Sequence, residues 1–193
     1  MYSTHTDSAI ESVEIDDPMT WAHAQETPMT CWAACNRMLL EKLDLKVSEQ
    51  EQVLRMTAAM PNGGLSGAGA HFENAKVALG GIFKGADGKS QMVIPYIAYS
   101  TAYNPNDRQY FANAILINSL KKGIPAITAT PQHAVIVYGA TYSQTGSIVT
   151  IHSLKYIDPM PKRPLGGPSL GEVSGYQIGQ LIGFMTARVE DVE

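Results

Sequence analysis

A glutamine and a cysteine stand six residues apart in Gln25-Glu-Thr-Pro-Met-Thr-Cys31-Trp-Ala-Ala-Cys35, and the pairing suggests a thiol nucleophile with an amide donor for an oxyanion. Pro28 and Thr30 close a loop, and Thr30 is the expected N-cap of a helix running from Cys31 to about Leu43. Cys31 then falls in the first helical turn. Unpaired backbone N–H groups and the positive end of the helix dipole converge there, which favours thiolate over thiol and lowers the pKa. Only the thiolate is a good nucleophile. A cysteine on an apolar helix is more ordinarily a buried core thiol, and that state suits Cys35, which precedes Met38 and Leu39 on the inward stripe. Two cysteines in i, i+4 register have nearly parallel side chains and make a poor disulfide, and a lone CxxxC supplies too few ligands for a metal.

The elements that must position Cys31 fall into two kinds. Ser48-Glu-Gln-Glu51 is a capping box that opens a second helix to about Met60, where Pro61-Asn-Gly-Gly64 stops it. Residues 63–70 are rich in Gly, Ala and Ser but lack the Gly-Lys-Ser/Thr ending of a phosphate-binding loop. His71 to Leu79 reads as a short helix with His71 at its surface. Between Gly80 and Tyr103 glycines break the chain into turns around an extended Met92–Tyr99, and the tyrosines at 96, 99, 103 and 110 read as interface packing. A fourth helix spans Asp107 to Lys122 and stops at Gly123 and Pro125. Strand signals follow over Ile124–Thr130, Gln132–Tyr142, Ile148–Ser153, Leu154–Ile157 and about Leu181–Val189. A helical half followed by a stranded half is an α+β pattern.

Two further motifs come late in the chain: His133 heading the strand His-Ala-Val-Ile-Val-Tyr-Gly, and Asp158 in Tyr156-Ile-Asp-Pro159. With Gln-x5-Cys-Trp before them, they make an ordered set over residues 25–159 that resembles the papain-like cysteine peptidases. The form of the motifs is similar to the compact bacterial branch, which includes staphopains, bacteriocin-leader peptidases and plant-pathogen effector peptidases. The resemblance implies a two-lobe α+β fold, with a helical lobe over about 18–122 whose catalytic helix faces an antiparallel sheet or barrel over about 123–193. It implies Cys31 as nucleophile, His133 as base, Asp158 as the acid that orients it, and Gln25 with the Cys31 backbone N–H as the oxyanion hole. It also puts Trp32 and Gln132, next to the nucleophile and the base, at the substrate. Gln132 replaces a glycine common before this histidine and bears on specificity. His23 is a bystander and His152 a structural histidine of its strand.

The expected activity is peptide-bond hydrolysis through a thioester acyl-enzyme, on a peptide or protein substrate and with no metal or organic cofactor. The same thiol chemistry also serves a glutamine deamidase or an acyl-transfer toxin, and a third alternative is an inactive scaffold kept as a binding module. At 193 residues the chain is long enough for one catalytic domain over 18–193, and its acidic start, residues 1–17, reads as a mobile tail. A net charge of −4 lacks the basic excess that nucleic-acid binding requires. No apolar run reaches transmembrane length and the N-terminus lacks the regions of a Sec signal, so the expected location is cytoplasmic or reached by signal-independent export.

Overall fold

The structure, a computed structural model, describes residues 9–59, 72–99, 109–130, 132–161 and 166–192. The glycine-rich stretch 63–70, His71 and Tyr103 lie outside the described residues. Among the described residues the fold is α+β: four helices, α1 Cys31–Lys42, α2 Glu49–Ala59, α3 Phe72–Leu79 and α4 Gln109–Lys121, pack with an eight-stranded antiparallel sheet. Its strands are β1 Ile10–Glu14, β2 Gly81–Lys84, β3 Ser90–Tyr99, β4 Ala126–Ala129, β5 Ala134–Thr145, β6 Ile148–Asp158, β7 Ser169–Ser174 and β8 Gly183–Asp191, in the order β2-β3-β8-β4-β5-β6-β7. β5 is the hub. Its first residues pair with β4, Gly139–Ser143 take β1 on that same edge, and β6 runs along the other.

Three differences from the sequence reading stand out. The acidic tail is a strand over Ile10–Glu14, where Glu11 accepts a hydrogen bond from the Tyr142 hydroxyl at 2.6 Å and Glu14 from Lys155 Nζ at 2.5 Å. The half expected to be helical, about 18–122, contributes β2 and β3 to the sheet, so the division near residue 122 does not separate helices from strands. The two strands expected over 148–157 are one continuous β6, and β7 lies where no strand was expected.

α1 is buried on nearly every side, with Trp32, Ala33, Ala34, Cys35, Asn36, Met38, Leu39 and Leu40 out of solvent. It packs on β4 and β5 and against α2 and α3. Met38, Leu39 and Leu40 are fully buried, and such side chains stabilise by roughly 1.5–3 kcal/mol apiece. That is ample to pin the helix, with Cys31 at its end, onto the strand headed by His133. α2 starts as the capping box predicts, the Glu51 N–H donating to Ser48 Oγ at 3.1 Å.

The sheet on the far side of β4 depends on close backbone approach. Gly183 opens β8 opposite Tyr99, its carbonyl accepts from Thr128 Oγ1 at 2.8 Å, and a Cβ built on it would lie 2.3 Å from the Ala98 carbonyl oxygen. Backbone on both sides cannot step away as a side chain can. We expect Gly183→Ala to lower unfolding stability by about 1–3 kcal/mol, the range for forced overpacking. A urea midpoint equal to wild type, at unchanged slope, would show that this junction yields.

Candidate active site

Residues 27–30 turn sharply into α1, with Pro28 followed by Met29 at φ +71°, as a type II turn requires of its third residue. Thr30 occupies the N-cap position but does not cap with its side chain. Its hydroxyl donates instead to the Thr27 carbonyl at 2.7 Å. A capping hydroxyl accepts from the second or third N–H of the helix, here Trp32 or Ala33. With the hydroxyl diverted, the Trp32 N–H is left to serve the Cys31 sulfur, which also receives the N–H of Ala134 at the head of β5.

His133 ends the turn between β4 and β5, where the Thr130 N–H donates to its carbonyl at 2.9 Å. The β5–β6 register aligns Ile136 with Ile157, so Asp158 falls one step beyond and diagonal to His133, within reach of an imidazole. Its Oδ1 lies 2.7 Å from His133 Nε2 and accepts the Met160 N–H at 2.9 Å. This second bond is an Asx-type turn that fixes the carboxylate through its own main chain. With Nε2 directed to Asp158, Nδ1 is the imidazole nitrogen left for Cys31.

These contacts set the charges. Burial pushes the Cys31 thiol up, but hydrogen bonding to His133 and the Ala134 N–H, the charge of His133 and the Trp32 N–H together bring it below its ordinary value. His133 is raised to about 9, chiefly by Asp158 and next by Cys31, against the opposing effect of burial. Cys35 is fully buried and its thiol is raised well above normal, first by desolvation and then by the charges of Cys31, Asp158 and Glu49. It is the inert core thiol expected of it.

Gln25 stands beside this group. Its backbone N–H donates to the Pro159 carbonyl at 2.8 Å and its side-chain Nε2 to the Thr27 carbonyl at 3.1 Å. The reversed amide would set two carbonyl oxygens against each other, so the N–H side of the amide is fixed. Trp32, expected at the substrate, is only 3% exposed and belongs to the core. Its place one residue into a buried helix turns its ring inward. Gln132 is exposed on the turn before His133. His23 pairs with Glu41 of α1 at 2.5 Å, and His152 with Ser143 across the β5–β6 ladder at 2.9 Å, so neither joins the cluster.

A cavity of about 210 Å³ opens against His133 and Asp158, walled by Val135, Val137, Leu154, Tyr156, Val173 and Leu181. Tyr156 leans over Gly171, its partner on β7, where a Cβ would collide with the ring. Among the described residues no group of three or more His, Cys, Asp or Glu side chains converges as metal ligands, and no helix is long and apolar enough to cross a membrane. Of the two N–H donors on the sulfur, that of Trp32 is one of the unpaired first-turn groups expected from the sequence, whereas that of Ala134 is a backbone group of a distant strand and leaves no residue type to recognise.

No protein-family model matches the chain, and no curated protein matches it. Among solved structures it is similar to a double glycine motif protease from an AMS/PCAT transporter, in complex with the leader peptide. The two share 13% sequence identity over 88% of this chain and 89% of that one, with a TM-score of 0.45.

The two shifted groups define a pH window. The Cys31 thiolate is lost as pH falls through its lowered value, and the His133 imidazolium is lost as pH rises through about 9. Between these limits both partners are charged. Iodoacetamide should therefore alkylate Cys31 at a pH below the value of about 8.5 that governs a free thiol. His133→Ala should slow labelling at about pH 6.5, because the hydrogen bond and charge that lower the thiol are lost, while Cys35 stays unlabelled until the protein unfolds. A labelling profile like that of a free thiol and indifferent to His133 would show that the pair does not form.

Proposed function

We propose that this chain is a cysteine peptidase of papain-like design, in which α1 presents the nucleophile to a base and acid carried by the sheet. The observation that carries the reading is a cysteine at the start of a buried helix, hydrogen-bonded to a histidine that is itself bound to Asp158 at 2.7 Å. Core packing alone does not call for that arrangement. It leaves a polar trio at a solvent-reached edge, where apolar side chains would pack at less cost.

In the proposed mechanism the Cys31 thiolate attacks the carbonyl carbon of a peptide bond, and the carbonyl oxygen takes up the negative charge. The Cys31 backbone N–H and the second N–H of the Gln25 amide, the first being committed to Thr27, stabilise that oxyanion. His133 gives its proton to the leaving amine as the C–N bond breaks, and a thioester remains on Cys31. Water then loses a proton to His133 and attacks the thioester, which releases the acid and restores the thiolate–imidazolium pair. Asp158 takes no proton. It holds the ring with Nε2–H toward itself and stabilises the imidazolium. The substrate is a peptide or protein, and Gln132, exposed beside the base, is the side chain placed to meet it.

A peptide library incubated with the protein and analysed by mass spectrometry tests this directly. New termini that vanish in Cys31→Ala are the expected result; deamidated glutamines without cleavage, or no change, would sink the peptidase reading. On any peptide so found, Gln25→Ala should lower kcat by roughly 10²–10³ with KM little changed, the scale for loss of one oxyanion donor. Asp158→Ala should retain more activity than His133→Ala, because other contacts can partly orient the ring but cannot replace the base.

A further inference from the structure

The segment that bears Gln25 is held from an unexpected quarter. Glu49, the first residue of α2, is 2% exposed, and both its carboxylate oxygens receive the Glu26 backbone N–H, at 3.1 and 3.0 Å. Helix packing does not account for this. A buried carboxylate is expensive unless it is paired, and an apolar side chain would fill the same space without that cost. Nor does the sequence motif account for it, since the capping box needs only Ser48 and Glu51. The charge of Glu49 is felt at Cys35, which places it alongside the catalytic helix.

The other restraints on residues 25–27 sit elsewhere. The Gln25 N–H reaches Pro159 at 2.8 Å, the Gln25 amide reaches Thr27 at 3.1 Å, and the Glu26 side chain meets Arg37 at 2.9 Å. The last of these is a bridge to a carboxylate that is 51% exposed, and exposed pairs restrain little. Glu49 is thus the buried anchor on the α2 side, one peptide unit from Gln25. We propose that Glu49 is a positioning residue: by gripping the Glu26 N–H it holds the Gln25 amide where the oxyanion forms. This rests on the reading of Gln25 as an oxyanion donor. Small displacements matter here, because a donor about 1 Å out of place can cost on the order of a hundredfold in rate.

Two reagents separate oxyanion stabilisation from thiolate reactivity without any knowledge of the natural substrate. p-Nitrophenyl acetate acylates Cys31 through a tetrahedral oxyanion: the S–C bond forms, p-nitrophenolate leaves and a thioester results. Iodoacetamide alkylates the same thiolate by displacing iodide, with no oxyanion. The ratio of the two rates should fall sharply in Gln25→Ala. It should fall by about tenfold or more in Glu49→Met, which removes the acceptor but keeps the volume, and less in Glu49→Gln, which keeps one acceptor oxygen. The alkylation rate and its pH profile should not move. In a Gln25→Ala background Glu49→Met should cause no further loss, as expected of residues that act as a unit.

An equal further loss in that background, a fall in alkylation alongside acylation, or a wild-type ratio in Glu49→Met would each overturn the positioning role while leaving the oxyanion role of Gln25 standing. A wild-type ratio in Gln25→Ala would instead overturn the oxyanion reading, and the positioning role with it. Should Glu49→Met fail to fold, the same cycle run with Glu49→Gln decides, a partial loss that disappears in the Gln25→Ala background being the supporting result.

Discussion

A thiolate and an imidazolium at a half-buried edge are each opposed by desolvation, and the site exists only because fixed donors and acceptors outweigh that opposition. For Cys31 burial is the largest single influence and acts the wrong way, yet its pKa ends below normal. The difference is made chiefly by groups of another element, the imidazole and the Ala134 N–H at the head of β5, with the Trp32 N–H added from the helix itself. For His133 the largest influence is Asp158, on the end of β6. The charge pair is therefore a product of docking. If α1 is undocked from β5, or the β5–β6 ladder slips by a residue, the partners that hold the two charges are lost and neither group is kept ionised.

One short segment carries much of that assembly. In Asp158-Pro159-Met160 the carboxylate holds His133, the Pro159 carbonyl takes the Gln25 N–H, and the Met160 N–H turns back to lock the carboxylate. The end of β6 thus fixes the His133 ring and the Gln25 loop at once. Proline suits the middle position because its own nitrogen has no hydrogen to satisfy while its carbonyl is free to accept. The Gln25 loop in turn touches β6 through Pro159, α2 through Glu49 and α1 through Arg37, so three separately folded elements meet within two residues.

The amino-acid sequence was legible where side-chain chemistry and regular periodicity coincide. Cys31 at a helix start, His133 at a strand head and Asp158 at a strand end were visible as residue types in context, and the structure brings those three together. β1 was not legible, because Ile-Glu-Ser-Val-Glu shows no apolar alternation and is mostly exposed; its acids are retained by Tyr142 and Lys155, which lie about 130 and 140 positions later. The continuity of β6 was hidden for a different reason. Ser153 and Leu154 are buried in succession next to a register shift in β5 between Thr141 and Tyr142, and the break in alternation read as the end of one strand and the start of another. Trp32, next to Cys31 in the chain, lies on a different face of α1, and that face is core.

The approach to α1 gives up local stability in two ways. A side-chain cap is worth about 1 kcal/mol to a helix, and Thr30, a residue suited to the task, spends its hydroxyl on Thr27. A non-glycine residue in the left-handed region costs roughly 1–2 kcal/mol, and Met29 occupies it one residue before that cap. Both departures act on the same few atoms. The positive φ turns the chain so that the Thr27 carbonyl lies within reach of the Thr30 hydroxyl and the Gln25 amide, and the diverted hydroxyl leaves a helix N–H to the sulfur. A conventional cap would satisfy that N–H and strengthen the helix, but it would withdraw a donor from the thiolate. The fully buried Met38, Leu39 and Leu40 more than offset both local costs, so α1 can remain seated while its first turn is arranged around a charge.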